Sequence, residues 1–225
     1  MKKVLVVSAH MDDEVLGMGG TTARHASQGH AVTVCIVCKR AYDHKFDPVV
    51  VEEEKDAARR AAQVLGYTDL RFLDLRDELL DERLLDVIVP LEQVVGDVRP
   101  DVVYTHHRGD LNQDHRAPFH ASVIACRPTG YNVPRLLCYE VPSSTDIAPP
   151  VPEYAFQANF YVDIADSLEK KVAAMRSYER ELKAFPHPRS ARGIESLAAK
   201  RGMEAGFEAA EAFMILRDTW GGERA

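Results

Sequence analysis

The alternation of short apolar runs with longer amphipathic segments constrains the fold of this chain more than any other feature. Strand-length apolar runs at residues 3–8, 31–37 and 101–105 are separated by segments of helical period, among them residues 51–65 and 84–98. Strands that alternate with helices in this way are typical of βαβ units. We therefore expect an α/β fold with a mainly parallel sheet.

The remaining elements are predicted from the same periodicities and from glycine and proline stop signals. The pattern has no repeat and no clean linker, and a chain of 225 residues can bury about 70% of its unfolded surface around one core, so residues 1–225 are expected to form a single domain. Further helices are predicted at 21–28, from about 114 to before 128, from 167 to about 183, and from 190 toward the apolar segment 212–216; further strands at 70–73, 136–141 and 160–164; and a loop at 142–152.

The composition narrows the classes of partner and compartment. Lys and Arg number 28 against 35 Asp and Glu, a formal net charge of −7, which disfavours nucleic acid as a partner because phosphate binding needs a cationic surface. No apolar run approaches the ~20 residues of a transmembrane segment, and the first apolar stretch is too short for a signal peptide. Four cysteines are too few for a disulfide scaffold, so a reducing cytoplasm is expected.

Cys35 and Cys38 form a C-x-x-C motif, which in other contexts binds metals or carries redox chemistry. Both cysteines fall in or at the end of the strand-like run 31–37. Side chains three apart on a strand point to opposite faces of the sheet. We therefore do not expect these two thiols to share a site.

A cluster of polar residues follows directly after the first predicted strand. One imidazole, that of His10, and three carboxylates, those of Asp12, Asp13 and Glu14, stand where a dinucleotide-binding fold has glycines. Such a cluster repels phosphate and attracts a cation. The glycines at 17, 19 and 20 come later and are better explained by close packing of the first helix, with nucleotide binding as the alternative.

A second polar cluster, residues 106–115, follows the strand at 101–105. Ligand sites of open α/β sheets lie beyond the carboxyl ends of the strands. If the two strands are neighbours, His10, Asp13 and His115 can converge on one point. Two imidazoles and one carboxylate with a fourth position open to water form a catalytic zinc set, and the same donors also accept Fe²⁺ or Co²⁺.

The adjacent Asp12 and Asp13 can divide two tasks, because neighbouring side chains in a loop point in different directions. Asp13 is predicted as a metal ligand and Asp12 as the general base, since a metal lowers the pKa of bound water to about 7 and a carboxylate can take its proton. The reaction class is hydrolysis of an amide or ester. The alternative is structural: acidic residues here can cap a helix, and His115 can be a residue of a helix N-terminus.

The segment Ala9-His10-Met11-Asp12-Asp13-Glu14 resembles the A-H-P-D-D-E motif of the PIG-L/LmbE-like de-N-acetylases, and Asp114-His115 is similar to the family's second motif, D-H. Residues 109–116, 139–145 and 186–190 are also similar to a bacterial branch of this family. The resemblance implies a Rossmann-like three-layer fold with a metal at the C-terminal ends of the strands, metal ligands at His10, Asp13 and His115, and a general base at Asp12. Asp114 belongs to the second motif and is included among the catalytic candidates.

Two positions depart from the family pattern. Met11 replaces the usual proline, which affects the stiffness of the loop. Asn112 replaces a histidine thought to stabilise the oxyanion or protonate the leaving amine; an amide can donate a hydrogen bond to an oxyanion but supplies no proton. The general acid is therefore open between Asp12 returning its proton, His187 and His107. His106 and His107 cannot both face one site, so at least one of them is expected to be structural.

The expected function is a zinc-dependent N-deacetylase acting on an N-acetylglucosamine-type conjugate, a small molecule or glycoconjugate. Two alternatives remain: an amidase for a bulkier acyl group, and a non-enzymatic Rossmann-like nucleotide-binding module. Relatives in the family commonly assemble, so the resemblance leaves a homo-oligomer open.

Overall fold

A computed structural model describes residues 1–40 and 48–221, and in these residues seven strands form one sheet. Most elements lie within a few residues of the predicted ones, and the helix at 84–98 and the strand at 3–8 match at both ends. The elements in chain order are β1 (Lys3–Ser8), α1 (Asp13–Ser27), β2 (Ala31–Cys38), α2 (Pro48–Leu65), β3 (Asp69–Leu75), α3 (Leu84–Val98), β4 (Val102–His106), α4 (Gln113–Ala125), β5 (Arg135–Tyr139), β6 (Phe160–Asp163), α5 (Leu168–Met175), α6 (Ala191–Ala205) and β7 (Ala210–Asp218).

The strand order is β3-β2-β1-β4-β5-β7-β6. Strands β3 through β5 in this order are parallel, while β7 is antiparallel to both β5 and β6. From β1 the chain builds outward through β2 and β3, then returns to place β4 on the other side of β1. The order therefore reverses between β1 and β4, and such a switch point opens a crevice at the carboxyl ends of the two strands.

Alternating residues of the central strands enter two separate cores. Val4 and Val6 pack on the side of α1, α2 and α5, whereas Leu5 and Val7 pack on the side of α3 and α4. A sheet apolar on both faces is the pattern expected for parallel strands between two helix layers. The predicted α/β three-layer fold with a mainly parallel sheet is confirmed.

Helix α1 begins eight residues before the predicted helix at 21–28. Glycines at 17, 19 and 20 and the non-helical Met18 (φ −150°, ψ 26°) hide the helical period in the sequence. The structure gives these glycines a packing role: Gly17 lies against the Tyr139 ring, and Gly20 lies against Ile164. The Glu211 carboxylate accepts hydrogen bonds from the Gly20 and Thr21 amides beyond the kink.

We expect Gly17→Ala to lower the free energy of unfolding by about 1–3 kcal/mol, the usual cost of overpacking a core. An added Cβ would overlap the Tyr139 ring, lying 2.7 Å from its Cε2. That ring has little freedom to move, because its hydroxyl donates to the Val7 carbonyl at 2.8 Å. Urea unfolding measures the change. Gly221→Ala is the control, since nothing lies within 4 Å of its Cβ position; equal stability of both variants would contradict this packing role.

Two C-terminal expectations are wrong. The helix predicted from 167 to about 183 ends at Met175, and the chain then turns so that the buried Tyr178 reaches Glu14, to whose carboxylate its hydroxyl donates at 2.5 Å. Helix α6 ends at Ala205 and is capped by Gly206 in the left-handed conformation (φ 77°), and the apolar segment after it is strand β7 rather than a part of a helix. Pairing with β5 and β6 decides this, and the sequence period alone does not show it.

The alternation expected for Cys35 and Cys38 also fails. Both side chains pack in the same core, on the side of α3 and α4. The register between β2 and β3 shifts between Ile36 and Cys38, and such a shift moves the last residue of the strand to the other face. All four cysteines are buried and free of disulfides. None of the helices in the described parts of the chain combines the length and apolar character that crossing a bilayer requires.

Candidate metal centre

The loop after β1 and the start of α4 bring the predicted ligands together. His10 and Asp13 follow β1, and His115 lies in the first turn of α4, which follows the neighbouring strand β4. The Asp13 carboxylate accepts a hydrogen bond from the His10 amide at 2.9 Å, which closes the loop on itself. All three side chains are buried.

The three ligand atoms form a nearly equilateral triangle. His10 Nδ1 lies 3.3 Å from His115 Nε2 and 3.5 Å from Asp13 Oδ2, and His115 Nε2 lies 3.3 Å from Asp13 Oδ2. A tetrahedral zinc ion with bonds of about 2.0–2.1 Å holds its ligand atoms about 3.3–3.4 Å apart. The residues present therefore fit the predicted type of metal site.

The charges of the cluster also favour a cation. Burial opposes ionisation of Asp13, but His115 and the hydrogen bond with His10 hold the pKa of Asp13 well below its usual value. Burial likewise opposes protonation of His115, yet Asp13 and Asp110 raise the pKa of His115 to about 9. The surrounding carboxylates thus attract positive charge to the ligand triangle, and a divalent ion supplies that charge without protonating the imidazoles.

A second layer of carboxylates lies behind the two imidazoles. Asp110 Oδ1 lies 3.2 Å from His115 Nδ1, and Asp110 is itself held by the hydroxyls of Ser144 and Thr145. Asp114 Oδ2 lies 3.7 Å from His10 Nε2. A carboxylate within hydrogen-bond distance of a histidine fixes its tautomer and ring orientation, as Asp110 does for His115. Asp114 therefore stands behind a ligand and outside the ligand triangle.

Asp12 occupies a strained position at the start of α1. Its φ of 115° lies in a region that residues other than glycine rarely adopt, and strain of this kind concentrates at functional sites. In this conformation the Asp12 carbonyl accepts hydrogen bonds from the first amides of the helix, while Asp12 lines the same cavity as the predicted metal ligands. Burial raises the pKa of Asp12 well above its ordinary value, and the nearby Arg189 opposes that rise.

Arg189 contacts the predicted base directly. Its Nη1 donates to Asp12 Oδ2 at 2.9 Å and to Glu181 Oε2 at 3.0 Å, and its Nε donates to the Ser143 hydroxyl at 2.7 Å. The Arg189 side chain is 22% exposed and lines the cavity wall. It therefore fixes the Asp12 carboxylate and leaves part of its own surface toward the cavity.

The ligand triangle opens into a cavity of about 420 Å³, a volume in the range of small-molecule sites. A larger groove of about 860 Å³ lies beside α5 and α6, but the predicted ligands and base do not line it, so the chemistry points to the smaller cavity. The residues that line this cavity are His10, Met11, Asp12, Asp13, Arg40, Glu54, Asp77, Glu78, Leu111, Asn112, Gln113, Asp114, His115, Ser143, Ser144, Glu181 and Arg189.

The structure separates the other sequence candidates. Asn112 is the N-cap of α4, and its Oδ1 accepts a hydrogen bond from the Asp114 backbone N–H at 2.9 Å. The side-chain NH₂ of Asn112 is therefore the group that can contact a substrate. His187 is exposed and absent from the cavity lining, and its Nδ1 accepts from the Arg189 amide. His106 is buried, and its Nε2 accepts from the Ala9 amide. His107 faces the Tyr154 carbonyl.

Sequence reasoning gave no role to two residues that the structure places at the site. Arg189 lies in the Pro-His-Pro-Arg-Ser segment, but its distance along the chain conceals its contact with Asp12. Asp110 lies in the second polar cluster beside His115. A carboxylate near a predicted ligating histidine was a signal that could have identified it, because such histidines commonly have a carboxylate partner.

Comparison with known proteins agrees with this geometry. A family model described as GlcNAc-PI de-N-acetylase, PIG-L, matches residues 5–126, which include both polar clusters. The chain belongs to the PIG-L family. The resemblance found in the sequence is thereby confirmed, and the matched residues contain His10, Asp12, Asp13 and His115.

Individual PIG-L relatives include an uncharacterized deacetylase, YaiS, of Escherichia coli K12, 32% identical over 170 residues that cover 73% of this chain and 88% of YaiS. A probable N-acetyl-alpha-D-glucosaminyl L-malate deacetylase 2 of Bacillus subtilis is 27% identical over 191 residues, which cover 79% of this chain and 82% of the Bacillus protein. The solved structure of GalB, the 4-carboxy-2-hydroxymuconate hydratase of Pseudomonas putida, superposes with a TM-score of 0.79 and 25% identity, covering 100% of both chains.

Proposed function

We propose that this PIG-L family protein is a zinc-dependent hydrolase that removes the acetyl group from an N-acetylglucosamine-type conjugate. The observation that carries the proposal is the ligand triangle of His10, Asp13 and His115 with the Asp12 carboxylate facing the same cavity. Relatives described as deacetylases support the reaction class. Fe²⁺ or Co²⁺ can occupy the same donor set.

His10, Asp13 and His115 would hold a zinc ion, which would supply Lewis acidity to polarise the acetyl carbonyl and to make water a stronger nucleophile. The Asp12 carboxylate accepts a proton from the attacking water while the oxygen–carbon bond forms. Burial raises the proton affinity of this carboxylate, which suits a general base. The side-chain NH₂ of Asn112 donates a hydrogen bond to the substrate, since the Oδ1 of the same side chain already accepts from the backbone of helix α4.

The proton must then reach the leaving nitrogen as the carbon–nitrogen bond breaks. Asp12 is the carboxyl group that already holds it, and it faces the cavity. His187 is exposed outside the cavity lining, and His107 is turned toward Tyr154. We therefore assign the proton return to Asp12, with Arg189 keeping the carboxyl in place. His187 remains a candidate that His187→Ala would test.

Arg189 is a positioning residue, and we expect Arg189→Gln to shift the acid limb of the pH–rate profile to higher pH. The guanidinium lowers the pKa of Asp12, so its removal keeps the base protonated, and inactive, up to a higher pH. A shift of about one pH unit is the scale for a partly exposed neighbouring charge. Arg189→Lys retains the charge and is expected to keep the limb in place. A Gln variant with an unmoved limb contradicts this role.

The match to the GalB hydratase favours a second candidate function, addition of water to a carbon–carbon double bond. The glycines of α1 pack against Tyr139 and Ile164, which argues against the nucleotide-binding alternative. The deacetylase and the hydratase candidates both use Asp12 as the base and the same cavity. The nature of the electrophile separates them, so the substrate panel must include both classes.

The deciding experiment incubates zinc-loaded protein with N-acetylglucosamine conjugates, with analogues that carry longer acyl chains, and with unsaturated hydroxytricarboxylates. Acetate release from the conjugates, lost with a chelator and restored by zinc, is the expected result. Faster cleavage of longer acyl groups would favour the bulkier amidase. Loss of the unsaturated chromophore without acetate release would favour the hydratase and overturn the deacetylase proposal.

A further inference from the structure

Cys38 lies directly behind the metal ligand His10. It is the last residue of β2, and its amide donates to the Ala9 carbonyl at 2.8 Å, which ties the end of β2 to the loop that carries His10. The register of β2 against β3 shifts between Ile36 and Cys38, and the Cys38 thiol lies within 4.8 Å of a ring nitrogen of His10. Cys38 is 1% exposed.

Three buried groups meet at this point. Cys38 Sγ, a ring nitrogen of His10 and a carboxylate oxygen of Asp114 all lie within 4.8 Å of one another. His10 Nε2 faces Asp114 Oδ2 at 3.7 Å, while His10 Nδ1 faces the ligand triangle. The two nitrogens of one imidazole thus belong to two different donor sets, one on each side of the ring.

We call the group of Cys38, His10 and Asp114 the inner set, and the triangle of His10, Asp13 and His115 the outer site. Two atoms of the inner set lack hydrogen bonds. His10 Nε2 and Asp114 Oδ1 are buried without a hydrogen-bond partner among the described residues. Burial of polar atoms without hydrogen bonds is unfavourable, so these two atoms call for an explanation such as a bound ion. His10 and Asp114 are the two residues that form a group with the Cys38 thiol.

We propose that Cys38, His10 Nε2 and Asp114 form a second metal site that competes with the first for His10. A neutral imidazole has one lone pair for coordination, at either Nδ1 or Nε2. An ion bound at Nε2 leaves the proton on Nδ1, which then faces Asp13 Oδ2 at 3.5 Å. Occupation of the inner site therefore removes one of the three ligands of the outer site.

The donor chemistry defines which ions prefer the inner site. The outer site offers nitrogen and oxygen only, whereas the inner site offers a thiolate, and soft ligands select soft cations. Cd²⁺ and zinc in excess are the expected occupants, and the thiol proton passes to solvent on binding. The inner site thus makes the enzyme sensitive to thiophilic ions. The inhibition depends on the proposed function, whereas binding of the ion does not.

The test titrates Cd²⁺ into metal-free protein and follows the thiolate-to-cadmium charge-transfer absorption in the ultraviolet. We expect a band in the wild type that saturates near one ion per chain and is absent in Cys38→Ser. Cys35→Ser is the matched control, because Cys35 is a buried thiol of the same strand outside the donor set, and it keeps the band. His115→Ala also keeps the band, because the inner donors remain.

A second readout tests the competition for His10. Cd²⁺ added to zinc-loaded enzyme is expected to inhibit the wild type. For equal inhibition of Cys38→Ser we expect the Cd²⁺ concentration to be higher by about tenfold or more. A wild type without the band, a band that persists in Cys38→Ser, or one lost in Cys35→Ser overturns the inner site. A band without relief of inhibition overturns the competition. If Cys38→Ser does not fold, Cys38→Ala takes its place. The band is read without substrate, so it is independent of the deacetylase proposal.

Discussion

Asp12→Asn is expected to lower kcat by about 10²–10⁴-fold, the contribution of a positioned general base, while the metal content stays unchanged. The amide is nearly isosteric and can still accept from Arg189, whose Nη1 lies 2.9 Å from Asp12 Oδ2. It cannot accept the proton of the attacking water. Steady-state kinetics of acetate release, together with elemental analysis of the same sample, measure both parts of the prediction.

Glu181→Gln is the matched control for this substitution. Glu181 accepts from the same guanidinium nitrogen at 3.0 Å and lines the same cavity, so its replacement removes an equivalent charge beside Arg189 without removing the base. We expect a loss of about fivefold at most, the scale of a partly exposed ion pair. Similar losses in both variants, or an Asp12→Asn enzyme of nearly wild-type rate, would remove Asp12 from the role of base.

His115→Ala is expected to abolish both tight zinc binding and deacetylation. It deletes one of the three atoms of the ligand triangle, 3.3 Å from each of the other two. The loss of affinity should exceed the about 10–100-fold that a supporting residue outside the coordination sphere costs. Equilibrium dialysis against zinc and acetate release measure the two effects. His120→Ala, an exposed histidine on the same helix, should change neither; full zinc affinity in His115→Ala would contradict the ligand assignment.

Asp110→Asn provides an intermediate case, because Asp110 supports His115 without belonging to the triangle. Burial opposes ionisation of Asp110, but the hydrogen bond from His115 and those from Ser144 and Thr145 lower the pKa of Asp110 to about 2. Asp110→Asn therefore replaces a negatively charged carboxylate with a neutral amide. We expect zinc affinity to fall about 10–100-fold, with the protein still folded by circular dichroism. An unchanged affinity would show that Asp110 does not act through the metal.

The local period of the sequence was sufficient for most of the fold. Strand β1 and helix α3 follow from runs that are apolar or amphipathic over their whole length, and packing reinforces the same preference. Helix α1 was only partly predictable, because the glycines that let it approach Tyr139 and Ile164 also weaken its helical signal. Strand β7 needed its neighbours, since a short apolar run takes its conformation from the sheet it joins.

The site shows the same division. His10, Asp12, Asp13 and His115 could be named from the sequence, because metal ligands and their base have few chemical alternatives and follow the ends of two strands. The positions of Arg189 and Cys38 could not, because they depend on contacts across the chain and on a shift of strand register. The sequence by itself determined the layered α/β architecture and indicated the candidate metal ligands, through residue chemistry and local period. The tertiary structure alone decided which charges flank the base and which thiol lies behind His10, since distances between remote segments arise only when the sheet and its helices pack.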